Sequence, residues 1–149
     1  MKKSEAQIQK KKKPTVSKLK KKLDAIFSKY IRLSNAFVHE GELSCVCVTC
    51  GNTKPVKKMQ NGHFMSRQHT ATRYNELNCS PQCYGCNVMQ QGKQYEHGLY
   101  LDKKHGAGTA SDMYVMSKIS KPFKPFELDE MIVDYSKRVD DLNIALSEI

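Results

Sequence analysis

Two Cys-x-x-Cys pairs, Cys47–Cys50 and Cys83–Cys86, enclose a 32-residue spacer at positions 51–82. Each pair sets two thiols within reach of one ion, and four thiolates complete a tetrahedral zinc site with no open coordination position. A zinc held this way is structural, and it contributes on the order of 10 kcal/mol to folding. The competing reading of cysteines, as disulfides, needs an oxidising compartment. The basic N-terminus is followed by no apolar run of the kind a signal peptide carries. No stretch of 18 apolar residues is present, so no transmembrane helix and no membrane partner are expected. A reducing, cytoplasmic setting is therefore predicted, in which the six cysteines read first as metal ligands. Cys45 and Cys79 lie outside the two pairs in apolar, strand-like surroundings and read as buried packing residues. A ligand set with Cys45 in place of Cys47 stays open at this point.

Charge narrows the partner. The net charge of the 149 residues is +10. Residues 1–22 hold ten Lys and one Glu, so the remaining chain is nearly neutral. Between Cys50 and Tyr95, however, six basic residues (Lys54, Lys57, Lys58, Arg67, Arg73 and Lys93) face a single acid, Glu76. From Glu127 onward the balance reverses to seven acids against Lys137 and Arg138. A basic tail and a basic midsection point to a polyanion, nucleic acid before others. For the tail alone, solubility is the competing explanation.

The length suits one domain with short extensions. Residues 1–16 have little to bury and read as a basic disordered arm. Residues 17–149 read as a single domain: a helix in 17–42, a zinc-bearing core in 43–105 and a helical extension in 106–149. Leu19, Leu23, Ile26, Phe27, Tyr30, Ile31 and Phe37 recur at helical spacing, which predicts one amphipathic helix over 18–38 with Ser17 as N-cap and Gly41 as its stop. Residues 43–50 alternate like a strand, and 51–62 suggest a turn and polar hairpin. Gly62–Ser66 suggests a short strand, followed by a loop through His69 and Thr72. Asn75–Cys83 reads as irregular or strand-like. Short helices are expected over 85–95 and about 94–104, and a loop at His105–Ser111. A final helix over 127–147 carries Leu128, Met131, Ile132, Tyr135, Val139, Leu142 and Leu146 on one face, either as core or as a dimer seam.

The spacer is longer than a zinc hairpin requires, and it carries His63, then Asn78, with Asn87 directly after Cys86. That order resembles the His-Asn-His nucleases of the zinc-bearing, treble-clef type. The stretches "CVTCG", "NGHFMSR", "RYNELNCSPQCYGCN" and "GKQYEHGLYL" resemble, more narrowly, the NinG/Rap recombination endonucleases of lambda-type phages. The likeness covers about residues 18–147, with its specific motifs in 47–95. It implies an α+β fold: a zinc-stabilised ββα-metal core between an N-terminal and a C-terminal helix. It also implies an endonuclease that cuts branched DNA, four-way junctions and displacement loops included, in the host cytoplasm of a phage.

The resemblance and the chemistry of the residues together assign roles. Hydrolysis of a phosphodiester needs an activated water and stabilisation of charge on the phosphoryl and leaving oxygens. His63 is the candidate general base, because imidazole titrates near neutral pH. Asn87 matches the family's position for a catalytic Mg²⁺ or Mn²⁺, and capping a helix is its competing role. Asn78 matches the middle asparagine, which braces the loop behind the base. Where many such nucleases carry Asp before the base, this chain has Gly62. Glu76 is then the carboxylate expected to complete the cation site, with an ordinary ion pair to Arg73 as the alternative. Arg67 and Arg73 are expected to clamp phosphate, and Lys57, Lys58 and the arm residues Lys10, Lys11, Lys12 and Lys13 to add salt-sensitive affinity. A homodimer would suit paired cuts across a junction. The competing functions are a zinc-stabilised DNA-binding module without catalysis, and a nuclease of ordinary duplex DNA. His69 reads as an exposed loop residue, and His39, His97 and His105 carry no role.

Overall fold

A computed structural model describes residues 12–149, so Lys10 and Lys11 and most of the expected basic arm lie outside the described residues. Lys12 and Lys13 are exposed ahead of the first helix. That helix, α1, spans Val16–Ser34. Its cap is Thr15 rather than Ser17, with the Thr15 hydroxyl accepting from the Lys18 N–H at 3.2 Å. It also ends sooner than its apolar spacing suggests. The Asn35 side chain turns back to donate to the Ile31 carbonyl at 2.7 Å, and Phe37 enters a strand.

Strands β1 (Phe37–His39) and β2 (Glu42–Val46) are antiparallel, with His39 opposite Glu42. Glu40 and Gly41, at φ of 50° and 76°, form the two-residue turn between them. Positive φ at both central positions is the requirement of this tight hairpin, so Gly41 turns a hairpin instead of stopping a helix. Strand β3 (Thr53–Pro55) completes a three-stranded sheet in the order β1-β2-β3.

After a 3-10 turn at Val56–Lys58, β4 (Met59–His63) pairs antiparallel with β5 (Cys79–Cys83), from Met59 opposite Cys83 to His63 opposite Cys79. The expected strand Gly62–Ser66 is thus only the end of β4. The connection holds α2 (Thr70–Arg73) and a 3-10 turn, Glu76–Asn78. A π-helical turn at Gly85–Met89 follows β5, then α3 (Gln94–His105), α4 (Thr109–Ser117) and α5 (Pro125–Ser147). Helix α4 starts inside a stretch whose glycines suggest a loop. Pro125 opens α5 at its first turn, where the missing N–H costs nothing. The architecture is mixed α+β with two small sheets.

The main core forms where Leu19, Leu23, Phe27 and Ile31 of α1 meet Leu128, Ile132 and Tyr135 of α5, with Tyr74 and Cys79 beside them. Phe27 stands edge-on to Tyr74 and Tyr135, at centroid distances of 5.7 and 5.0 Å. The first half of the apolar stripe of α5, Leu128 to Tyr135, is therefore core within one chain. A second, smaller core gathers Cys45, Cys47, Met59, Cys83 and Cys86. β5 is buried throughout and joins the two, with Cys79 in the first and Cys83 in the second. Among the described residues no helix is long and apolar enough to cross a membrane.

Candidate functional site

The two Cys-x-x-Cys turns converge. The Sγ atoms of Cys47, Cys50, Cys83 and Cys86 all lie within 4.8 Å of one another, and Cys50 and Cys83 are 3.8 Å apart. Ligands about 2.3 Å from one tetrahedral ion stand roughly 3.8 Å from each other, so the set could hold a metal such as zinc. Local backbone makes the knuckle: Gly51, at φ 78°, donates to the Cys47 carbonyl at 2.8 Å. On the far side, the Cys86 N–H points at the Cys83 sulfur at 3.4 Å. Burial pushes the Cys47 thiol up, but the Thr49 hydroxyl and nearby backbone N–H groups outweigh it and bring Cys47 down to about 6. Burial pushes Cys45 up to about 11 and raises Cys79 further, so these two stay neutral thiols in the packing. Cys45 is outside the four-sulfur group.

Beside the metal centre lies a cavity of about 690 Å³. β4 contributes His63 to its wall, the π-helical turn contributes Asn87, and the chain after β4 contributes Arg67. The opposite wall is one face of α1, with Asp24, Ser28 and Arg32 at four-residue intervals. Lys57 closes one side.

His63 is fixed from behind. Its Nε2 lies 3.0 Å from the Arg73 carbonyl oxygen, which can only accept, so Nε2 carries the hydrogen and Nδ1 keeps the lone pair. Burial lowers the ring to about 4 against the favourable pull of that carbonyl, and Arg67 pushes in the same direction as burial. The imidazole is neutral across the physiological range. The strand end is held by Asn78, whose amide accepts from the Met65 N–H at 2.8 Å and donates to the Met65 carbonyl at 2.9 Å. Asn78 is fully buried and touches the cavity nowhere, so it acts as a brace. Asn87 lies inside its helical turn and caps nothing; its Nδ2 donates to Gln60 Oε1 at 2.8 Å, leaving Oδ1 as the acceptor.

Two expected site residues are elsewhere. Glu76 lies apart from His63 and Asn87, on the wall of a different cavity, where Tyr135 donates to it at 3.2 Å and Arg138 reaches it at 3.5 Å. The ion pair to Arg73 does not form either, because Arg73 turns to Asp24. Its Nε and Nη2 meet the two Asp24 oxygens at 3.1 and 2.6 Å, with both side chains only about 15% exposed. Arg73 is thus a buried strut rather than a phosphate clamp: its guanidinium holds Asp24 while its carbonyl holds His63. Lys58 is exposed but does not line the cavity, whereas Lys57 and Arg67 do.

The carboxylate on the cavity wall is Asp24, which spacing around the cysteines could not reveal. Its one available signal was chemical: Asp24 is the single acid in an α1 otherwise rich in Lys. The structure also accounts for Gly62. A Cβ there would collide with the side-chain amide of Gln82, which is fully buried and pinned by donating to Thr49 Oγ1 at 3.1 Å and the Gly92 carbonyl at 2.9 Å. A residue with a side chain before His63 would have to displace that strut.

The fold and site define a class: a mixed α+β protein in which a four-cysteine cluster that could hold a metal lies beside a basic cavity. The chain matches the family model of the bacteriophage Lambda NinG protein over residues 1–143, and it belongs to that family. Searches of curated proteins and of solved structures give no match.

Proposed function

We propose that this chain is a divalent-metal-dependent DNA endonuclease whose active site is the cavity between α1 and β4, and that branched recombination intermediates are its substrates. The observation that carries the reading is the convergence of a neutral His63, a free Asn87 Oδ1 and the cations Arg67, Lys57 and Arg32 on one cavity. The antiparallel β4–β5 pair leading into a helical turn that bears Asn87 supports a ββα-metal, treble-clef-like core. The four cysteines would hold a structural Zn²⁺.

Asn87 Oδ1 is the oxygen donor positioned to hold Mg²⁺ or Mn²⁺, both of which prefer oxygen and retain water ligands. When bound, such an ion stabilises charge on the phosphoryl and leaving oxygens. His63 Nδ1 accepts the proton of the attacking water, and the Arg73 carbonyl stabilises the imidazolium that results through the Nε2–H. Arg67 presents its guanidinium to phosphate from the cavity rim. Resemblance to the nuclease superfamily implies 5′-phosphate and 3′-hydroxyl ends. The preference for branches rests on the resemblance to the NinG/Rap recombination endonucleases alone, which is an analogy.

The reading is tested by incubating zinc-loaded protein and Mg²⁺ with a labelled four-way junction and with a linear duplex of the same sequence. Selective cutting of the junction, leaving 5′-phosphates, is the expected result. Equal cutting of both would keep the nuclease and remove the branch preference. Binding without cutting in either Mg²⁺ or Mn²⁺ would leave a zinc-stabilised DNA-binding module.

A further inference from the structure

Among the described residues, Arg32 is a cation that the fold holds by hydrogen bonds to neutral groups only. Its Nε donates to the Ser28 carbonyl and hydroxyl, both at 3.2 Å, and its Nη1 donates to the Val56 carbonyl at 2.9 Å. These partners fix the plane of the guanidinium and leave the Nη2 amino group without a partner among the described residues. No carboxylate lies within ion-pair distance of Arg32 among the described residues. A half-buried cation with only neutral partners is costly, and the cost is recovered when an anion arrives. The neighbouring acid does not serve, because Asp24 is taken by Arg73.

The position of Arg32 gives the ligand. Arg32 and Lys57 line the His63 cavity and also a second cavity of about 520 Å³, which continues to Lys29. Lys57 pairs with Glu42 at 3.3 Å, but its side chain is 74% exposed, so that pair is weak and easily exchanged. A single phosphate would occupy only a small part of either cavity. A chain of regularly spaced anions would fill both, with one phosphate at His63 and the next beside Arg32.

We infer that Arg32 and Lys57 form a second phosphate station, which grips a nucleic-acid backbone next to the reacting phosphate and directs the strand along α1 towards Lys29. This rests on the nucleic-acid part of the function proposed above, and not on its catalytic part. Arg32 Nη2 supplies rigid hydrogen bonds, and Lys57 supplies a mobile charge.

The test is a titration of the zinc-loaded full chain with a labelled four-way junction in buffer without Mg²⁺ or Mn²⁺ and without chelator, repeated between about 50 and 200 mM salt. Arg32→Gln and Lys57→Gln should each weaken binding about 3–10-fold and reduce the slope of log affinity against log salt by about 0.7–0.9. Arg32→Lys should keep most of the slope while losing affinity, since it retains the charge but not the fork. Melting curves and zinc content of each variant establish folding, and exposed Lys57 gives a readout even if Arg32→Gln unfolds. Wild-type affinity and slope in folded Arg32→Gln, or in Lys57→Gln if Arg32→Gln does not fold, would overturn the station. Failure of the nuclease reading looks different: the slope differences persist, but no wild-type cutting appears once Mg²⁺ is added.

Discussion

The helical half and the cysteine half of this molecule are held together by different forces. In the first, α1 and α5 bury Leu23, Phe27 and Leu128 completely and stack Phe27 against two tyrosines. Burying each such side chain stabilises by about 1.5–3 kcal/mol, so this half has a conventional core. In the second, the buried cluster is four cysteines and Met59, with Val56 at its edge. So little hydrocarbon contributes little to ordering short strands and a π-helical turn. The cysteine half is the one expected to depend on an ion, which its four clustered thiols could hold. The cavity lies on the seam, with Asp24, Ser28 and Arg32 from one half and His63 and Asn87 from the other. Chemistry at the seam therefore requires both halves to be folded and in register, and β5, buried along its whole length, is the element that keeps them so.

The largest effect that could separate the halves is metal removal. Stripping the ion with a chelator should remove on the order of 10 kcal/mol from the cysteine half. The expected outcome is loss of dispersed amide signals from β2 through Met89 while α1 and α5 keep part of their helicity. An apo protein that melts like the metal-loaded one would remove the proposed dependence. Next comes the opposite perturbation. Phe27→Ala should cost about 3–5 kcal/mol in denaturant midpoint while leaving metal stoichiometry at one per chain in protein that remains folded. Loss of metal at a temperature where the variant is still folded would show that the halves are one cooperative unit.

Acid acts on the seam. Burial lowers both His63 and His97 to about 4, whereas an unfolded histidine titrates near 6.5. Between these values the unfolded chain binds more protons than the folded one, so stability falls as pH drops from about 6.5 towards 4. The two rings together should cost a few kcal/mol over that window. A His63→Gln, His97→Gln double variant should show a flatter stability profile at constant zinc, and an identical profile would contradict the assignment. The smallest effect is at Gly62. Gly62→Ala should displace the Gln82 amide and cost about 1–3 kcal/mol through its two lost hydrogen bonds. A Gly62→Ala protein as stable as wild type would mean that Gln82 yields freely.

What could be read in the sequence was what is local. The metal site follows from spacing within two turns, because three-residue separation in a tight knuckle brings thiols to one point whatever surrounds them. The brace at Asn78 and the placement of His63 and Asn87 near one another follow from a motif whose members sit on one hairpin and the turn after it. Glu76 misled because proximity in sequence says nothing about which side of a 3-10 turn faces the cavity. Asp24 and Arg32 come from a helix about 30–40 residues away from β4, and only packing of α1 against the rest brings them to His63. The early end of α1 was equally hidden, since Phe37 fits the helical spacing and Glu40–Gly41 acts as a turn only when β2 is present to pair with β1.

His63, at the seam, is proposed as the base of a phosphodiester hydrolysis. Single-turnover cleavage of a four-way junction by zinc-loaded wild type and His63→Ala in Mg²⁺ tests it most directly, with junction affinity measured in parallel. A loss of about 10²–10⁴-fold in rate is expected, with affinity and zinc content unchanged. Equal rates in the two proteins, or no cutting by wild type that binds the junction tightly, would contradict it.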